Sequence, residues 1–160
     1  MRVVVADTTP IRYLTSIGYL DLLPRLFENI LIPAVVYEEL QHPATPQPVR
    51  AALKPTPTWL KVIFTEVTDD PILQVLDEGE RAALTLGLRL GADLILMDER
   101  KGAAVARRKG LPFTGTLGIL ILAAERQWLD LADAFARLRQ TNFHYSEDLL
   151  QSLLLQHRRK

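Results

Sequence analysis

Four acidic residues stand out by position: Asp7, Glu39, Glu80 and Asp98. Asp7 closes the run RVVVAD and Asp98 closes DLILMD. Glu39 lies late in the apolar stretch AVVYEEL, and Glu80 opens ERAALTLGLRL. Each has an ordinary structural reading on its own. Asp7 can cap the helix that follows it, Asp98 can cap ERKGAAVARR, Glu80 suits a helix's first turn, and Glu39 can be a solvated acid like Glu38 beside it. The joint pattern says more. Acids crowded at one edge of a domain repel one another unless cations neutralise them or some take up protons. Hard oxygen ligands without His or Cys select Mg²⁺ or Mn²⁺ over zinc. The chemistry that follows is metal-assisted hydrolysis, typically of a phosphodiester.

The elements that must position these acids read as alternating strands and helices. Arg2 to Ala6 is a short β-branched run, predicted as a buried strand. Pro10 suits a helix's first position with Thr9 as its N-cap, and Gly18 is the expected stop. A second helical piece covers Leu20 to Phe27, and ILIP (Ile30 to Pro33) is a strand leading into the AVVYEELQ helix. HPATPQPVRAALKPTPTW carries five prolines and reads as a surface excursion around one short helix, Val49 to Leu53. LKVIF (Leu60 to Phe64) is a strand, and a helix runs from about Gly79 to Leu90, ending at Gly91. The DLILMD strand, a helix through KGAAVARRK, the LPFT strand and a helix from Leu117 to Gln127 follow. Helical patterns over Leu131 to Arg139 and Glu147 to His157 close the chain. This alternation predicts a parallel sheet covered on both faces. Ligands of such sheets sit outside the carboxyl ends of the strands, where Asp7 and Asp98 fall.

A chain of 160 residues suits one domain, with a core to about residue 127 and extra helices over about 128–160. The formal net charge is zero, so no global field advertises nucleic acid, although local contact stays open. The absence of cysteine excludes disulfides, thiolate nucleophiles and cysteine-rich zinc sites. No secretory pattern opens the chain, and no uncharged apolar run reaches membrane-spanning length, so a soluble, cytoplasmic protein is expected. Other reaction classes fit less well. The position two after Asp7 is Thr9, not the second Asp of a strand-end phosphatase motif, and the early acid pair of receiver domains is missing. There is no GxGxxG and no GxxxxGK[ST]. The GTLG turn at Gly115 to Gly118 reads as a connection between the LPFT strand and the next helix. His42, His144 and His157 are scattered surface residues by this reading, and no Ser–His arrangement suggests a triad.

The stretches VVVADTTPIRYL, IPAVVYEEL, GERAALTLGLRLGADLILMDER and KGLPFTGTLGILILA resemble the PIN-domain family, the ribonuclease fold of VapC-type toxins. The resemblance covers most of the first 125 residues. It implies a three-layer α/β/α sandwich with a central parallel sheet, whose acids bind Mg²⁺ or Mn²⁺ and cleave RNA with water as the nucleophile. On this resemblance Asp7, Glu39, Glu80 and Asp98 are the catalytic metal ligands. Thr8 and Thr9 supply the hydroxyls that follow the strand-end Asp, Thr9 orienting Asp7 or a bound water. It also implies a homodimer and a small antitoxin protein as partner, with no membrane association. Arg100 and Lys101, beside Asp98, are the candidate substrate-binding cations, positioning phosphate without reading sequence. The remaining basic residues, Arg107, Arg108, Lys109 and the HRRK end, read as a solvated helix face and tail. Two departures from the family pattern matter. Glu80 stands where the common residue is Asp, one methylene shorter, and the proline-rich excursion and last helices exceed a minimal toxin. Two alternatives stay open: a PIN-like binding module that docks through Leu149, Leu150, Leu153 and Leu154, and a phosphatase using Asp7 as nucleophile.

Overall fold

In the chain's alternating apolar runs, successive strand residues enter opposite layers. The computed structural model describes residues 2–66, 70–98 and 100–158; the side chains of Arg100 and Lys101 lie outside the described set. Strands β1 (Val4–Ala6), β2 (Ile30–Pro33), β3 (Leu60–Ile63), β4 (Leu94–Leu96) and β5 (Phe113–Thr114) form one all-parallel sheet in the order β3-β2-β1-β4-β5. Val4 and Ala6 of β1 enter one apolar cluster and Val5 the other; Ile30 and Ile32 separate from Leu31 in the same way, as does Leu96 from Ile95. The larger cluster holds residues of α1 (Thr8–Ser16), α2 (Leu22–Phe27), α3 (Ala34–Leu40), α4 (Gln47–Ala52), α7 (Thr116–Glu125) and α8 (Leu131–Arg139), with α9 (Glu147–Arg158) closing over it. The smaller holds α5 (Glu78–Leu90) and α6 (Arg100–Arg108). The result is a three-layer α/β/α sandwich.

The chain winds from β1 outward to β3, then crosses to β4 and β5 on the other side of β1. The seam between β1 and β4 is therefore the topological switch point, and the carboxyl ends of those two strands lead to Asp7 and Asp98.

Several boundaries differ from expectation for identifiable reasons. Helix α1 begins at Thr8, so Asp7 and not Thr9 is the N-cap residue, and its side chain makes no capping bond. Pro10 then sits third in the helix, where its missing N–H is still one of the unpaired first-turn donors. Strand β4 ends at Leu96, two residues before Asp98, although Met97 N–H still reaches Thr114 O at 2.9 Å. Phe64 falls beyond β3 and is 80 % exposed. One turn of 3-10 helix at Leu73–Val75 was not expected from the sequence. The end of α5 is as predicted: Gly91 adopts φ 60°, the left-handed turn that favours glycine.

The last two helices belong to the packing of the sandwich. Leu131, Ala134, Phe135, Leu138, Phe143 and Leu150 join the larger cluster, and Leu153 and Leu154 pack against it. Burying side chains of this size is worth about 1.5–3 kcal/mol each. The leucine stripe read as a docking face is thus mostly used within the chain; Leu149 and Leu155 stay exposed.

Candidate active site

Asp7 leaves β1 with its N–H bonded to Leu96 O at 2.9 Å, so its backbone continues the β1–β4 seam. It is 4 % exposed. Alternation places it with Val5, on the layer that α5 occupies. There the α5 terminus comes close because residue 79 has no side chain. A Cβ on Gly79 would stand 2.9 Å from Glu39 Oε1, 3.1 Å from Glu39 Oε2 and 3.2 Å from Asp7 Oδ1. Two carboxylates from different elements thus converge on one glycine.

Glu39 comes from the last turn of α3, whose Val36 and Leu40 anchor the helix in the core. The Thr8 hydroxyl donates to Glu39 Oε2 at 2.7 Å, which ties α3 to the start of α1. Glu80 is held by a capping box. Its N–H donates to Asp77 Oδ1 at 2.8 Å, and Asp77 N–H donates to Glu80 Oε1 at 3.1 Å. Its other oxygen, Oε2, is buried and has no hydrogen-bond partner among the described residues.

Asp98 sits across the seam at the start of α7. Thr116 N–H donates to Asp98 Oδ1 at 2.7 Å and the Thr116 hydroxyl donates to Oδ2 at 2.5 Å. Both oxygens are oriented by one fully buried threonine, and each keeps lone pairs for a further partner. Gly115 allows the approach, since a Cβ there would collide with the Asp98 carboxylate.

Burial and mutual repulsion dominate the electrostatics. Burial pushes Asp7 up to about 7; the Thr8 backbone N–H opposes this, while Asp77, Glu39 and Asp98 add to it. Burial also raises Glu39, against the Thr8 hydroxyl, with Asp77 and Glu78 contributing repulsion. Glu80 is pushed up by burial and by the nearby Asp77 and Asp7, against the bond from Asp77 N–H. Asp98 is raised by burial against its two Thr116 bonds. Four acids share one direction of shift; burial is the leading cause in each, and repulsion between carboxylates adds to it at Asp7, Glu39 and Glu80.

The structure brings Asp7, Glu39 and Glu80 to one side of the seam, with Asp98 close enough to act on Asp7 electrostatically. The Thr8 hydroxyl goes to Glu39 while its backbone N–H faces Asp7, and Thr9 lines a cavity of about 690 Å³ with Asp98, Tyr13 and His144. The proposed roles of Arg100 and Lys101 concern side chains outside the described residues. Lys109, on the same segment, is committed to Asp70 at 2.6 Å. Three participants escaped the sequence reading: Asp77, Thr116 and Gly79. Asp77 was detectable, because Asp-x-x-Glu before an apolar run is a capping-box pattern.

Carboxylates suit a hard divalent cation in charge and donor type. The convergence of Asp7 and Glu39 over Gly79 fits such an ion in donor type. Among the described residues no three acid or imidazole groups already form a complete metal-holding set.

A doubly wound parallel sheet with buried carboxylates gathered at its switch point is an α/β protein with an acidic site. The chain belongs to the PIN-domain family: a family model described as PIN domain matches residues 3–159. No curated protein matches the sequence. PIN domains are in general nucleases that use divalent metals, so the family carries a nuclease-type, hydrolytic function on nucleic acid. Among the described residues, no helix is long and apolar enough to cross a membrane.

Proposed function

We propose that the chain is a Mg²⁺- or Mn²⁺-dependent endoribonuclease whose cation is held by Asp7, Glu39, Glu80 and Asp98. The observation that carries this reading is the convergence of Asp7 and Glu39 oxygens over Gly79; the unpartnered Glu80 Oε2 lies on the α6 side, 3.2 Å from where a Cβ on Gly102 would stand. A bound divalent cation would supply charge neutralisation and Lewis-acid polarisation of the phosphate. The protein's own groups supply orientation. Asp7 is fixed by the β1–β4 seam, Glu39 by the Thr8 hydroxyl, and Asp98 by Thr116. Near neutral pH Asp7 retains part of its proton, so cation binding displaces it. The amino ends of α5 and α7 face this acidic edge and favour the ionised carboxylates.

A toxin role, with a small antitoxin as partner, a homodimeric state and a cytoplasmic setting, goes with this reading. Its support is the resemblance of VVVADTTPIRYL, IPAVVYEEL, GERAALTLGLRLGADLILMDER and KGLPFTGTLGILILA to the family that includes the VapC-type toxins. The test is cleavage of single-stranded RNA in EDTA, Mg²⁺ and Mn²⁺. Cation-dependent cleavage lost in Asp7→Asn supports the proposal; cleavage that survives the substitution refutes it.

One observation favours a second reading, a weak or inactive nucleic-acid-binding module. Glu80 Oε1 and both Asp98 oxygens already serve in structural hydrogen bonds. Tight RNA binding without cation-dependent cleavage would select it.

A further inference from the structure

The connection between α8 and α9 forms a wall of the cavity that contains Asp98. That cavity, about 690 Å³, is lined by Thr9 and Tyr13 of α1, by Asp98, and by the segment from Asn142 to Ser146. The segment is pinned in place. The Tyr13 hydroxyl donates to Asn142 Oδ1 at 2.7 Å, and the Tyr13 and Phe143 rings meet edge to face with centroids 5.1 Å apart. Phe143 and Leu150 anchor its two ends in the core. Between those anchors His144 is exposed and Tyr145 is half-buried, so two rings line the cavity next to a candidate catalytic acid.

We propose that this connection is a base-stacking subsite, in which His144 and Tyr145 seat an unpaired nucleobase of the strand whose phosphodiester lies at Asp98. The inference rests on the nuclease reading and adds where the strand runs. The lining chemistry selects the occupant. Among the described lining residues Asp98 is the one formal charge; the others are rings, apolar groups and neutral hydrogen-bonding groups. Among these residues a base finds flat faces and neutral donors and acceptors. A cavity of about 400 Å³ on the α3–α5 side carries Glu38, Glu66 and Glu78 against one cation, Arg81, so its lining is net negative and disfavours a phosphate backbone. The strand therefore leaves the acids on the Asp98 side. Stacking on rings is tolerant of base identity, so this subsite positions the strand and imposes weak sequence preference.

The test is a fluorescence titration of the full chain with a single-stranded oligoribonucleotide carrying 2-aminopurine, in EDTA and again in Ca²⁺. The Ca²⁺ ion takes oxygen ligands and neutralises the acids, and the strand is checked as uncleaved. The proposal predicts quenching on binding, and affinity about tenfold weaker in His144→Ala. His144→Phe should restore it, with unchanged thermal melting in both variants. Tyr145→Phe, which keeps the ring and the packing, should bind like the parent. Equal affinity of His144→Ala and parent, failure of His144→Phe to rescue, or no quenching by the parent chain would overturn the subsite. Cleavage is scored separately with Mn²⁺. Quenching that depends on His144 without cleavage would sink the nuclease reading and keep the subsite; cleavage with His144-independent binding would do the reverse.

Discussion

Asp7 shows most plainly what the site costs and does. Its carboxylate is buried, makes no helix-capping bond and sits near Asp77, Glu39 and Asp98. Asp7→Asn removes the charge at nearly constant shape. Cleavage should fall by about 10²-fold or more, the scale of losing one electrostatic stabiliser of a transition state. The same change should stabilise the cation-free protein at pH 8 by up to about 4 kcal/mol, because the buried charge is no longer imposed. Activity assays and denaturant titrations in EDTA check the two halves. Gly79→Ala tests the convergence itself. Helix propensity alone would make it stabilising by about 1 kcal/mol. Crowding against Glu39 and Asp7 predicts destabilisation and cation affinity about tenfold weaker, read by melting and calorimetry.

At the scale of elements, helix termini decide where the acids point. Asp77→Ala should lower stability by about 1 kcal/mol through loss of the cap and release Glu80, which weakens cation binding as well; melting and calorimetry report the two effects. Thr116→Val keeps the backbone N–H to Asp98 and deletes the hydroxyl bond, so cleavage should drop about 10- to 100-fold with a smaller change in melting temperature. Much of this layer was legible beforehand. β-Branched runs ending in Asp7 and Asp98, and the Gly91 stop, follow from local periodicity and backbone freedom. The N-cap assignment failed at Thr9 because proline is tolerated anywhere in the unpaired first turn, so Pro10 does not mark the helix start to the residue. Thr116 and Gly79 could not be found by local pattern. Their importance lies in contacts with Asp98, eighteen positions away, and with Glu39 and Asp7, which only the crossover of the sheet brings together.

For the whole molecule, the sheet order β3-β2-β1-β4-β5 brings the carboxyl ends of β1 and β4, which lead to Asp7 and Asp98, to one edge of the sheet. The parallel sheet was readable from strand–helix alternation. The use of α9 as core cover rather than as a docking face was not, because an apolar stripe does not say what it packs against. The folded chain keeps the Asp7 proton up to about pH 7, whereas the unfolded chain releases it near 3.8. Between those values the folded state binds the extra proton, so stability is highest at the acid end and declines as pH rises through the window. Glu39, Glu80 and Asp98 shift in the same direction. Melting temperature in EDTA should therefore fall from pH 5 to pH 8, and Mn²⁺ should restore more at pH 8 than at pH 5. A flat profile with no difference between the cation conditions would contradict this.

The central claim is that these acids form one divalent-cation site. Calorimetric titration of Mn²⁺ into the full chain at pH 7, repeated in buffers of different ionisation enthalpy, tests it most directly. The account predicts saturable binding at or below millimolar concentration, with proton release, lost in Asp7→Asn and in Asp98→Asn. Absence of binding at millimolar Mn²⁺, or binding unchanged by both substitutions, would contradict it.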